Sequence, residues 1–224
     1  MQKVIIAIVG ILILIGVGIG FFVFNSQKEP EQPRQTQEPD DDILPSVVID
    51  RSFYEGLFER HPQGELFVQG ILKALDELED EDEVNDLNAF LVMGANLSLL
   101  EEKEEAFAWY QKALELDSIN VLALNNAANI LDELGLYEES AATWLQLLKN
   151  YPERVPAYRS LGYLYRYRLN KSPTEIEALF VKGLEVTDNH SDLYNWLISY
   201  FLATGNNEKF AEYANRLNEI RQSK

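Results

Sequence analysis

The sequence contains no cysteine. That excludes disulfides, thiol nucleophiles and cysteine-ligated metals, and it leaves the compartment open, because a large helical domain folds on either side of a membrane without covalent staples. Histidine is almost as scarce. His61 and His190 stand far apart in the chain, and each reads as a turn or surface residue rather than a ligand. Positive charge is short as well: 19 Lys and Arg against 37 Asp and Glu give a net charge of -18. Such a surface repels nucleic acid and anionic headgroups, so nucleic acid is not an expected partner. A local basic patch inside that field still suits a peptide. The sequence has no phosphate-binding loop, paired-histidine motif or nucleophile elbow, so no catalytic, cofactor or metal residues are assigned and no enzymatic role is expected.

What the chain does have, first, is apolar length. Residues 4–24 carry no charged or strongly polar side chain. At 1.5 Å of rise per residue the run spans about 31 Å, one hydrocarbon core. Residues 1–24 are therefore expected to be a single transmembrane helix and membrane anchor, with the lipid bilayer as a partner through residues 4–24. A cleaved signal peptide is the rival reading, but its apolar core is about 7–15 residues and ends in small residues. This run ends in Phe21, Phe22, Val23 and Phe24. Gly16, Gly18 and Gly20 imitate a dinucleotide-binding loop, yet they lack its strand–turn–helix context. Gly16 and Gly20 share one helix face, where close helix packing is open to them. Lys3 precedes the run and Lys28 and Arg34 follow it, nearly a tie under the positive-inside rule. The short N-terminal tail suits the inside, so the large domain is expected to be extracytoplasmic or periplasmic.

Half of the prolines follow at once. Pro30, Pro33, Pro39 and Pro45, with Asp40, Asp41 and Asp42, make residues 25–45 a flexible acidic linker. From Val47 the period becomes helical. Residues 46–86 read as an N-terminal helical extension or a degenerate repeat, with about two helices over 46–80 broken at His61-Pro62-Gln63-Gly64. Leu66, Ile71, Leu72, Leu75 and Leu78 form the expected apolar stripe, and Glu77 to Asp86 an acidic connector.

The clearest order begins at Leu87. Blocks 87–120 and 121–154 place like residues at equivalent positions: Phe90 with Leu124, Met93-Gly94 with Ala127-Ala128, Leu97 with Leu131, Ala106 with Ser140, Tyr110 with Trp144, Ala113 with Leu147, Ser118 with Pro152. Small residues stand where two helices must approach, and aromatics where a space must be filled. Leu134-Gly135 supplies the turn inside the second block, and Tyr151-Pro152 closes it. A third block has Tyr158, Leu161-Gly162 and Tyr165, a turn lengthened over Asn170 to Pro173, then Phe180 and Gly183. A fourth, from Ser191, has Tyr194, Leu197-Ile198 and Phe201, the turn Gly205-Asn206-Asn207, then Phe210, Ala214 and Leu217.

These fragments, LVMGANL, AFAWYQKALELD, LNNAANILDELGLYEESAATWLQLLKNYP and AYRSLGYLY, resemble the tetratricopeptide repeat family, whose period is about 34 residues. Ser140 departs from the family's alanine, and proline is missing from the ends of blocks one, three and four. The resemblance implies an all-α fold: a tetratricopeptide-type α-solenoid of four repeats over residues 87–224. It also implies a concave surface lined by the first helix of each repeat, with Asn125, Asn129, Asp132, Arg159, Tyr163, Arg166, Tyr167, Asn195 and Ser199 outward. Asn amides there would hold a peptide backbone, the arginines a carboxylate, and the tyrosines a flat apolar surface. The lysine set of the family's carboxylate clamp is absent, so that specificity is not assigned. The expected function is a membrane-tethered scaffold that recruits a protein or peptide partner, as an envelope assembly or chaperone accessory factor. The alternative is a scaffold built by homo-oligomerisation. Three Asn-x-Ser sequons begin at Asn96, Asn170 and Asn189, and the first lies inside a helix of the expected repeat.

Overall fold

The computed structural model describes residues 50–78 and 83–223. The chain divides into two units, Met1–Ile43 and Leu44–Lys224, and every described residue belongs to the second. The membrane anchor, most of the linker and the middle of the acidic connector thus lie outside the described residues. Among the described residues no helix is long and apolar enough to cross a membrane.

The described residues form helices joined by short turns. They are α1 (Arg51–Glu55), α2 (Leu57–Arg60), α3 (Glu65–Leu78), α4 (Glu83–Leu99), α5 (Lys103–Leu116), α6 (Val121–Glu133), α7 (Tyr137–Asn150), α8 (Val155–Tyr167), α9 (Pro173–Val186), α10 (Ser191–Ala203) and α11 (Asn207–Gln222). From α4 onward they alternate as the first and second helices of successive pairs. The starts are written in the sequence. The Asn120 side chain accepts from the N–H groups of Leu122 and Ala123, both at 3.1 Å. Ser172 and Glu175 form a reciprocal capping box, with Pro173 at the first helical position, where its missing N–H costs nothing. The His190 ring accepts from the Asp192 N–H at 3.3 Å, so this histidine caps α10.

The stops repeat as well. Gly135 and Gly205 take left-handed backbone angles, φ 80 and 74. Each is followed by an N–H that reaches back to the preceding helix: Leu136 to the Leu131 carbonyl at 2.8 Å, and Asn206 to that of Phe201 at 3.0 Å. In the first pair the same bond runs from Glu102 to Leu97 at 3.0 Å, but the left-handed residue is Glu101, at φ 63. A side chain is disfavoured there.

The core is two apolar clusters that meet at α6. Ala123, Ala127, Ile130 and Leu131 face the cluster built from α1 to α5, and Leu124 and Ala128 face the one built from α7 to α11. Tyr54 of α1 is buried and its hydroxyl accepts from the Trp109 indole at 3.0 Å, tying the N-terminal helices to α5. At the other end, the Tyr213 hydroxyl donates to Glu177 at 2.5 Å, and Lys209 pairs with the same carboxylate at 2.9 Å. Burial, then the hydrogen bond donated to Glu177, push the Tyr213 phenol well above its usual range. Ser140, in the place of alanine, is fully buried and donates to the Ala128 carbonyl at 2.7 Å.

Three details differ from the sequence expectation. Helix α4 begins at Glu83, so the acidic connector is shorter than 77–86; acidic residues are favourable in a first helical turn because the helix dipole is positive there. The helix expected ahead of His61 is two short pieces meeting at Gly56. Leu66 is 79 % exposed, and the buried stripe of α3 is instead Val68, Ile71, Ala74 and Leu75.

Replacing Glu101 by Gly is expected to stabilise the fold by about 0.5–1 kcal/mol, since relief of the left-handed strain outweighs the added chain entropy. Its exposed ion pair with Lys103 adds little to set against this. Urea denaturation of the two proteins measures the difference.

Candidate functional site

Three open cavities lie in series along the first helices of the pairs. One, of about 440 Å³, is lined by α4 and α6 residues including Ser98, Asn126, Asn129 and Asp132, with Tyr110 of α5. The next, about 430 Å³, is bordered by Asn129, Asp132, Arg159, Tyr163 and Trp196. The third, about 530 Å³, lies between α8 and α10 and is lined by Arg159, Tyr163, Arg166, Tyr167, Asp192, Asn195, Trp196, Ser199 and Tyr200. Neighbouring cavities share lining residues, so they form one continuous groove.

The groove floor is set by a missing side chain. Gly162 sits on α8, and a β-carbon there would lie 2.5 Å from the Phe180 ring and 3.1 Å from Trp196. Without it, Phe180 and Trp196 stack at 4.0 Å between centroids, and Trp196 stacks on Tyr200 at 5.4 Å. The Arg166 guanidinium covers the end of this stack, 5.2 Å from the Tyr200 ring and 4.7 Å from that of Tyr167. Tyr167 packs on Tyr163 at 4.8 Å. Arg168, just past the end of α8, then lies over the rings of Tyr163 and Tyr137 and reaches Asp132 at 3.3 Å. The result is an unbroken ladder of rings and guanidiniums along the groove. Burial raises the Tyr200 phenol pKa against the opposing pull of Arg166.

Of the residues singled out in the sequence, Arg159, Tyr163, Arg166, Tyr167, Asn195 and Ser199 line one cavity together. Asn129 and Asp132 line the two others. Asn125 does not join them: it is half-buried and its amide donates to Asn126 at 3.3 Å. Asn126 in turn donates to the Tyr110 hydroxyl at 2.9 Å. Sequence reading missed Trp196, Tyr200, Arg168 and Asp192. Trp196 and Tyr200 are four apart on α10, a spacing that places both on one face, and this was the available signal. Arg168 falls in a turn, where helical periodicity says nothing.

Outside the groove, His61 contacts Glu102 at 2.8 Å and Arg60 reaches the same carboxylate at 3.0 Å. Among the described residues no group of His, Cys, Asp and Glu is placed to hold a metal ion. Asn96 lies within α4 and donates to the Val92 carbonyl at 2.9 Å. Asn170 and Asn189 are exposed, in the turns before α9 and α10.

No protein-family model matches the sequence, and no curated protein does. Solved structures do. A tetratricopeptide repeat protein from Parabacteroides merdae superposes with a TM-score of 0.56 at 24% identity, over 76% of this chain and 68% of that one. The chain has a tetratricopeptide-type fold. MamA from Desulfovibrio magneticus RS-1, from its residue 41 to its end, matches with a TM-score of 0.51 at 16% identity, over 78% of this chain and 96% of that one. A MamA RS-1 double mutant gives 0.54 at 16% identity, over 77% and 95%. At these identities the likeness is one of fold, an α-solenoid of helix pairs.

Gly162→Ala is expected to cost about 1–3 kcal/mol, because the ring it meets is locked between packed neighbours. Trp196 fluorescence should shift with it as the stack opens. An unchanged melting temperature and an unchanged spectrum would show that the groove floor does not depend on this approach.

Proposed function

We propose that this protein is a membrane-tethered scaffold that recruits a protein or peptide partner through the groove along its first helices. The observation that carries the reading is the lining between α8 and α10. Two arginines, three tyrosines and a tryptophan gather there with Asn195 and Ser199. Such a surface supplies donors at its edges and flat apolar area between them, the composition of a polar protein-binding face. Tyr163 and Tyr167 are 46 % and 54 % exposed. Large apolar groups left open at this level on one face are suited to being covered by another chain.

In this reading residues 1–24 hold the scaffold to a bilayer, residues 25–45 let it search near the surface, and the repeats lie outside the cytoplasm. The apolar length of residues 4–24 supports the tether, and the prolines and aspartates of residues 25–45 support the spacer. A role in assembling or chaperoning envelope proteins fits this layout.

In-cell photocrosslinking from position 163 should capture a specific partner, and capture should be lost in the double variant Arg159→Ala, Arg166→Ala. Undiminished capture would remove these residues from the interface. The full chain should sediment with membranes and resist extraction by high salt or alkali, and a chain lacking residues 1–24 should appear in the soluble fraction. Protease access in sealed vesicles reads the side on which the repeats lie.

A further inference from the structure

The cavity between α8 and α10 holds two arginines against one aspartate, the reverse of the chain's balance. Acidic residues outnumber basic ones by 37 to 19, and several of the cations are spent internally. Arg168 pairs with Asp132, Lys103 with Glu101 and Glu133, and Lys171 with Glu175. Arg159 and Arg166 differ. Both line the same cavity, and neither has a carboxylate within ion-pair distance among the described residues. They are seven positions apart on α8, two helical turns and about 10.5 Å along the axis.

Arg166 is also held in place. Tyr167 and Tyr200 lie against its guanidinium at 4.7 and 5.2 Å. Stacking occupies the faces of a guanidinium and leaves its edge N–H groups free, and those edges match the two oxygens of a carboxylate. A group already immobilised loses less freedom on pairing. Asp192 lines the cavity too, so one like charge stands near an incoming anion.

We propose that the groove selects an extended acidic segment of its partner, gripped through side-chain carboxylates, with an aromatic or aliphatic residue between them lying on Tyr163 and Trp196. This rests on the reading of the groove as a protein-binding site. Two observations favour an internal segment over a chain end. A terminal carboxylate is one point of charge, whereas the two arginine positions are about 10.5 Å apart along the helix axis, a span that same-face side chains four residues apart on an extended chain, about 13 Å, can bridge. The cavity also continues into its neighbour past Arg159, Tyr163 and Trp196, so a chain can run on through it.

Fluorescence anisotropy on the full chain in nonionic detergent tests this. The probe is the labelled, C-terminally amidated peptide Gly-Glu-Ser-Leu-Ser-Glu-Gly, in which both Glu and the Leu share one face of an extended chain, with counterparts carrying Gln or Lys in place of both Glu residues. The acidic peptide should bind about tenfold or more tighter than the Gln peptide, with the Lys peptide weakest. Arg159→Gln and Arg166→Gln should each remove most of that preference, and Asp192→Asn should tighten the acidic peptide by about two- to threefold. Arg159 is exposed, so its variant keeps the fold, checked by an unchanged melting temperature. Equal binding of the three peptides, no measurable binding of the acidic one at millimolar concentration, or binding only with a free terminal carboxylate would each overturn the proposal. Tyr163→Ala separates the two readings. If the unaltered protein binds the three peptides equally and Tyr163→Ala weakens them all, the groove stands and the acidic preference falls. If neither it nor the arginine variants alters any binding, both fall.

Discussion

A helix pair can close tightly only where one helix leaves room for the bulk of the other, and in this protein that room is made on the first helix. At Gly94 a β-carbon would lie 2.9 Å from the Tyr110 ring, and at Gly162 one would lie 2.5 Å from that of Phe180. In the second pair the same position is Ala128, fully buried, whose carbonyl takes the Ser140 hydroxyl. The first and third pairs therefore bury an aromatic side chain of their second helix at a fixed depth. A pair set at a fixed depth presents its first helix to the next pair in a repeated way, so stacking extends a common core instead of ending it. The two clusters that meet at α6 follow from this, as do the three cavities in series.

The last groove interval is where that regularity acquires a distinct surface. Gly162 admits Phe180, Phe180 supports Trp196, Trp196 supports Tyr200, and Tyr200 supports Arg166. A guanidinium at the surface is thus held by a buried glycine through a chain of contacts between rings. Strongly acidic molecules commonly pair their cations internally, as Arg168, Lys103 and Lys209 do here. Among the described residues Arg159 and Arg166 have no carboxylate partner, and they stand on a face where the first helices leave open space.

The repeat was legible in the sequence because its signals are local: small residues opposite aromatics, and turns at Gly135 and Gly205. The four-residue spacing of apolar groups failed at Leu66, where one leucine falls on the solvent side of an otherwise regular stripe. The start of α4 was misplaced because a run of acidic residues reads equally as a solvated connector or a favourable first turn. Eight groove residues could be named from the resemblance, since position in the first helix sets the direction of a side chain. Their organisation could not. Trp196 and Tyr200 reach the tyrosines only through the packing of α10 on α8, and Arg168 reaches Tyr163 and Tyr137 from the turn that ends α8. Asn125 shows the converse: it has the right position but its amide is spent on a neighbour.

Recognition is proposed to run through the first helices, on the face between α8 and α10. Hydrogen exchange of the full chain, with and without bound acidic peptide, tests this most directly. Added protection is expected over residues 159–167 and 192–200, with the second helices α7, α9 and α11 unchanged. Protection confined to α7, α9 and α11 would contradict it.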